Sequence, residues 1–91
     1  MFIKAKKIIG KKVFSRSNYY LGKVVDFEID ALSYKIVKLY TQGKLLNFLK
    51  EPLVININQV IEIQKDRIIV EDAVVPKKIA KEKTPDIEYA K

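Results

Sequence analysis

Three carboxylates, Asp26, Glu28 and Asp30, recur at every second position of one stretch. On a β-strand all three would stand on one face. Carboxylates so placed suit two kinds of chemistry: holding a cation through oxygen ligands, or sharing general acid and base work. Both need more than the row itself. The chain has no histidine and no cysteine, so it lacks the commonest general base and the usual zinc ligands. No nucleophile stands in a recognisable setting. The simpler reading is a water-facing strand face balanced by Lys35 and Lys38 on the next strand. That reading is preferred: no enzyme, metal or cofactor is expected.

Three other groups could bind rather than react. Tyr19 and Tyr20 lie close to Arg16 and Lys23. Aromatic rings among cations can stack nucleic-acid bases while lysines meet phosphate. Tyrosine is equally an ordinary core or interface residue, and no RNA-recognition signature accompanies the pair. A basic run comes first in the chain: Lys4, Lys6, Lys7, Lys11, Lys12 and Arg16 precede the first acid, Asp26. It reads as solvated surface, or as a face that leans on anionic lipid or RNA. Leu45, Leu46, Phe48 and Leu49 form an apolar cluster. It closes one end of the domain, or offers a hydrophobic patch to a dimer mate or partner. Both hold if Leu46 is buried and Phe48 exposed.

The charge is unevenly spread. The net charge is +7; residues 1–70 hold 13 Lys and Arg against 6 Asp and Glu, and residues 71–91 hold 5 of each. The folded part therefore carries the excess, which favours anionic partners. At 91 residues there is room for one domain, and one this small gains stability by self-association. A homodimer is expected. The longest apolar runs fall far short of the ~20 residues that cross a bilayer. Lysines interrupt Met1 to Ile9, so that stretch lacks a signal-peptide core. A cytoplasmic protein without direct membrane insertion is expected.

The elements that would position these groups are short strands. Residues 2–8 carry no readable element. Val13-Phe14 begins the first strand, and Ser15 to Asn18 is a polar turn. Val24 to Ile29 alternates, with Val25, Phe27 and Ile29 inward and the acids outward. Asp30 to Ser33 makes a hairpin turn into a strand over Lys35 to Tyr40, which Thr41-Gln42-Gly43 breaks. Further strands follow at Leu53 to Ile57, Val60 to Gln64 and Arg67 to Val70, the last two joined at Lys65-Asp66. Six short strands predict an all-β fold, a small barrel whose closure would leave no open edge. The domain is expected over residues 1–75. Residues 76–91 read as a charged, flexible tail, in which Lys77 to Lys83 could make a helical turn or two. Within it Pro85 to Tyr89 reads as a docking peptide or as plain disorder.

The order Gly10-Lys11-Lys12-Val13-Phe14, then Tyr20-Leu21-Gly22-Lys23-Val24-Val25-Asp26-Phe27-Glu28-Ile29-Asp30, resembles the opening of a PRC-barrel. Ile57 to Ile63 and Lys65 to Val70 resemble the later strands of that family. The resemblance spans residues 8–72. Where many relatives carry a glycine in the second hairpin, Leu32-Ser33-Tyr34 stands here. The resemblance implies a six-stranded PRC-type β-barrel and a non-catalytic adaptor. Relatives include the reaction-centre H subunit and the C-terminal domain of the ribosome-maturation factor RimM. Stand-alone archaeal versions act beside the membrane-anchored division protein SepF. The expectation is therefore a protein-binding, homodimeric adaptor of archaeal type in cell division, recruited to the inner membrane face or division site by its partner. The alternative is a ribosome-maturation or RNA-associated module.

Overall fold

The computed structural model describes residues 2–79. A four-residue helix, α1 (Ala5–Ile8), leads into six strands: β1 (Lys12–Ser15), β2 (Tyr20–Asp30), β3 (Lys35–Gln42), β4 (Leu53–Asn56), β5 (Val60–Ile63) and β6 (Arg67–Val70). Short 3₁₀ turns at Lys44–Leu46, Ile57–Gln59 and Asp72–Val74 complete the path. The strands form one sheet in the order β4-β3-β2-β1-β6-β5. All neighbours are antiparallel except β1 and β6, which run parallel with Val13 opposite Ile68 and Ser15 opposite Val70.

The all-β class stands, but the closed barrel does not. β4 and β5 end the sheet and do not pair with each other. They are consecutive in the chain, joined by the Ile57–Gln59 turn, in which the Asn56 N–H donates to Gln59 Oε1 at 3.0 Å. Each is only four residues long. Short edge strands are one way for a sheet to limit pairing with neighbours.

Burial follows alternation cleanly in the two central parallel strands. Val13 and Ser15 of β1 and Ile68 and Val70 of β6 are buried. Between them Phe14 and Ile69 point to the other face and are partly covered. Leu39 lies opposite both Phe27 and Ile55, which carries the core across β2, β3 and β4. Burying such side chains is worth about 1.5–3 kcal/mol each before entropy is charged against it.

β2 departs from the expected alternation. Its inward residues are Leu21, Val24 and Phe27, every third position, while Val25 and Ile29 are exposed. Two irregularities account for the spacing from Leu21 to Phe27, and a further shift falls between Glu28 and Ile29, where β3 skips Val37. The β1–β2 register skips Leu21, from Val13↔Gly22 to Phe14↔Tyr20. The β2–β3 register skips Val25, from Val24↔Thr41 to Asp26↔Tyr40. Each extra residue shifts the phase of the pleat and bends the strand. β2 can thus pair with β1 at its start and with β3 along the rest of its length.

Gly22 permits the bend. It lies inside β2, not before it, at φ +128°, a region L residues rarely enter. A Cβ there would stand 2.1 Å from the Gln42 carbonyl oxygen and 2.9 Å from Gly43 Cα. A Cβ on Gly43 would meet Gly22 Cα at 2.7 Å. The two glycines therefore let two backbones touch.

Both ends of the described residues pack on the core. Ile8 is buried and Ile3 packs on the same cluster, so the N-terminal segment is part of the core. Residues 77–79 begin a helical turn, and Ile79 is buried with Val74 and Val75. Packing thus runs past residue 75 to Ile79; the remainder of the expected tail, with Pro85 to Tyr89, lies outside the described residues. Asp72 fastens this end to the β1–β2 turn. Its Oδ1 accepts from the Ser17 N–H at 2.8 Å and its Oδ2 from the Ser17 hydroxyl at 2.6 Å. Those bonds, the hydroxyl first, hold the Asp72 carboxyl below its ordinary value of 3.8.

Three outcomes follow from this packing. Gly22→Ala should cost about 3 kcal/mol or more in chemical denaturation, since strain and overlap add. Thr41 is fully buried with its hydroxyl unpaired, so the isosteric Thr41→Val should raise stability by about 1 kcal/mol. For Asp72 the folded value is depressed, so its contribution is present above pH 3.8 and fades as pH falls through the folded value. Thermal melts of Asp72→Asn and the parent chain should differ most near neutrality and converge in acid.

Candidate functional site

The acidic row is where the sequence placed it, fully on the outer face of β2, but each carboxylate has a local partner. Asp26 accepts from the Phe27 N–H at 2.8 Å, and Asp30 accepts from the Leu32 N–H at 2.9 Å and so shapes the hairpin turn. That last bond is the main reason the Asp30 carboxyl lies below its ordinary value. Glu28 stands 3.9 Å from Lys38, its cross-strand neighbour, and accepts a long bond from Tyr40 at 3.5 Å. Lys35 sits opposite Asp30. The arrangement is a charge-paired outer surface.

The two tyrosines part company. Tyr19 packs against the core cluster, while Tyr20 is exposed. The Tyr20 ring lies 5.1 Å from the Phe14 ring at 46°, and the Arg67 guanidinium lies 4.2 Å above Phe14. Tyr20 thus belongs to an exposed aromatic and cationic group with Phe14 and Arg67, while Tyr19 faces the core.

The basic run also divides. Arg16 pairs with Glu71 at 3.7 Å, its backbone N–H bonded to the Val70 carbonyl. Lys6, Lys7, Lys11 and Lys12 line a hollow of about 330 Å³ that also takes in Lys23 and Lys65. An adjoining hollow of about 550 Å³ shares Lys7, Lys11 and Lys65 and adds Lys4 and Phe2. Lys23 comes from β2 and Lys65 from the β5–β6 turn, so only the fold could reveal that they join the group.

The apolar cluster divides as its pattern allowed. Leu46 is buried in the core, Leu49 is partly buried, and Leu45 and Phe48 are exposed. The Lys44–Leu46 turn that carries Leu45 starts at Gly43 and so is held against β2 by the glycine contact. Leu45 and Tyr20 line one groove of about 620 Å³. Leu45 and Phe48 line a second of about 250 Å³ with Lys44, Lys78 and Ile79. Lys78 Nζ stands 4.8 Å over the Phe48 ring, a cation–π contact. Tyr20, Leu45 and Phe48 thus make one apolar strip with Lys23, Lys44 and Lys78 along it.

The β2–β3 hairpin tip presents Leu32, 92% exposed, and Tyr34, 85% exposed. Tyr34 is at φ +62°, the left-handed region a glycine would fill. Two large side chains in a turn are themselves the signal.

A family model, the PRC-barrel domain, matches residues 1–74. The chain belongs to the PRC-barrel domain family. No curated protein matches its sequence. Membership agrees with the strand-rich sheet and with a small binding module whose family acts through protein contacts. In this PRC-barrel the hydrogen-bonded sheet stays open between β4 and β5. Among the described residues no helix is long and apolar enough to cross a membrane.

Proposed function

We propose that this PRC-barrel is a non-catalytic adaptor that binds another protein through the Tyr20–Leu45–Phe48 strip. The observation that carries the reading is the strip itself. It is apolar, exposed and set on rigid elements, the start of β2 and the turn held by Gly43. Such anchors ringed by charge are the usual make-up of a protein contact. The lysines beside it favour a partner segment with apolar residues flanked by carboxylates. The same strip is the proposed homodimer contact.

The biological setting proposed is cell division beside a SepF-type membrane-anchored protein, in the cytoplasm of an archaeal-type cell. It rests on the family resemblance alone. The alternative, a ribosome- or RNA-associated module, draws on the net charge of +7, with Tyr20 exposed and Tyr19 packed against the core.

The decisive variant is Leu45→Ser with Phe48→Ser, since both side chains are exposed and their loss spares the core; Leu49 is partly buried and a poorer choice. In pull-downs from native extract, partners held by the parent chain and resistant to nuclease should be lost from this variant. In sedimentation over a concentration series, the parent should dimerise and the variant remain a monomer. Partners that vanish on nuclease treatment but survive the double substitution would sink the adaptor reading.

A further inference from the structure

We infer that the lysine-rich end of the domain docks on an anionic lipid surface. This face is separate from the apolar strip, although Lys23 lines both. Seven lysines converge there from four segments: Lys4, Lys6 and Lys7 around α1, Lys11 and Lys12 entering β1, Lys23 of β2, and Lys65 of the β5–β6 turn. One acid, Asp66, lines the same hollows, and its carboxylate already stands 3.7 Å from Arg67. None of the ion pairs among the described residues involves these lysines. Lys11 Nζ donates to the Lys65 carbonyl at 2.7 Å, which draws two like-charged segments together. Positive charge gathered by the fold without internal neutralisation favours an external anion.

The chemistry of the face selects lipid. Phe2 is fully exposed and Ile9 is exposed, and both line the lysine hollows. An apolar ring amid ammonium groups matches the boundary between headgroups and acyl chains. Lysine is a flexible point charge suited to phosphates without fixed spacing, whereas paired recognition of a defined phosphate favours the planar fork of arginine. The segment is also held rigidly. Ile8 is buried, Ile3 packs on the core, and the Gly10 N–H donates to the Val24 carbonyl at 2.7 Å.

The test is co-sedimentation of the full chain with phosphatidylcholine vesicles, with and without phosphatidylglycerol. Binding is expected only to the anionic vesicles and should weaken as salt rises. Lys6→Gln with Lys7→Gln and Lys12→Gln should reduce binding about a hundred-fold, at roughly five-fold per lysine. Phe2→Ser should reduce it about ten-fold. The charge-matched set Lys35→Gln, Lys50→Gln and Lys77→Gln should change it little, and circular dichroism should show every variant folded. Equal losses in the two lysine sets would overturn the inference, as would equal binding to both kinds of vesicle or to neither. Tighter binding to single-stranded RNA than to anionic vesicles, unchanged by Phe2→Ser, would make the face a nucleic-acid surface and overturn it too.

Discussion

The contact between the backbones of Gly22 and Gly43 underlies the rest of the structure. No side chain can enter the space, because a Cβ on either glycine would overlap the other's strand. With that space closed, β2 can bend at Gly22 and pair on both sides, and the chain leaving β3 can fold straight back over β2. Leu46 then drops into the core while Leu45 and Phe48 stay outside. The apolar strip is therefore a by-product of a main-chain contact. Its geometry depends on two residues that have no side chain to recognise anything.

Much of this could be read from residue order, but not all. β1 and β6 alternate regularly, so Val13, Ile68 and Val70 could be assigned to the core. β2 misleads because its bulges change the inward spacing from two to three, and a bulge depends on partner strands. Val25 looked like core for that reason; Ile29 keeps the phase of Phe27 but is exposed close to the hairpin. Ile3 and Ile8 were hidden by the lysines between them, although a single turn of helix suffices to turn Ile8 inward. The open sheet was not legible, since strand count says nothing about whether β4 reaches β5. The Leu46 and Phe48 division was one of the arrangements the spacing allowed, and only the fold selects it. The lysine group was half legible, because Lys23 and Lys65 reach it only through the sheet.

The two charged surfaces illustrate a difference in kind. On the β2–β3 ladder, Glu28 and Asp30 stand in register with Lys38 and Lys35, so opposite charges alternate across that face. At the α1 end the lysines face one another across hollows with a single acid. Charged residues can thus be surface padding or a field source, according to what stands opposite them. Exposed pairs of the first kind contribute little to stability, typically below about 1 kcal/mol.

The parallel pairing of β1 with β6 joins segments near opposite ends of the domain, and the Ser17–Asp72 bonds at its edge span 55 residues. During synthesis β1 leaves the ribosome long before the strand it must sit beside. Closing so long a loop carries an entropic cost that no local contact offsets. Until β6 emerges, β1 can pair only with β2, and Val13 and Ser15 lack the Ile68 and Val70 side of their packing. A chain ending before Arg67 would lack the strand that joins β1 to β5, so the sheet is whole only once its last strand is in place.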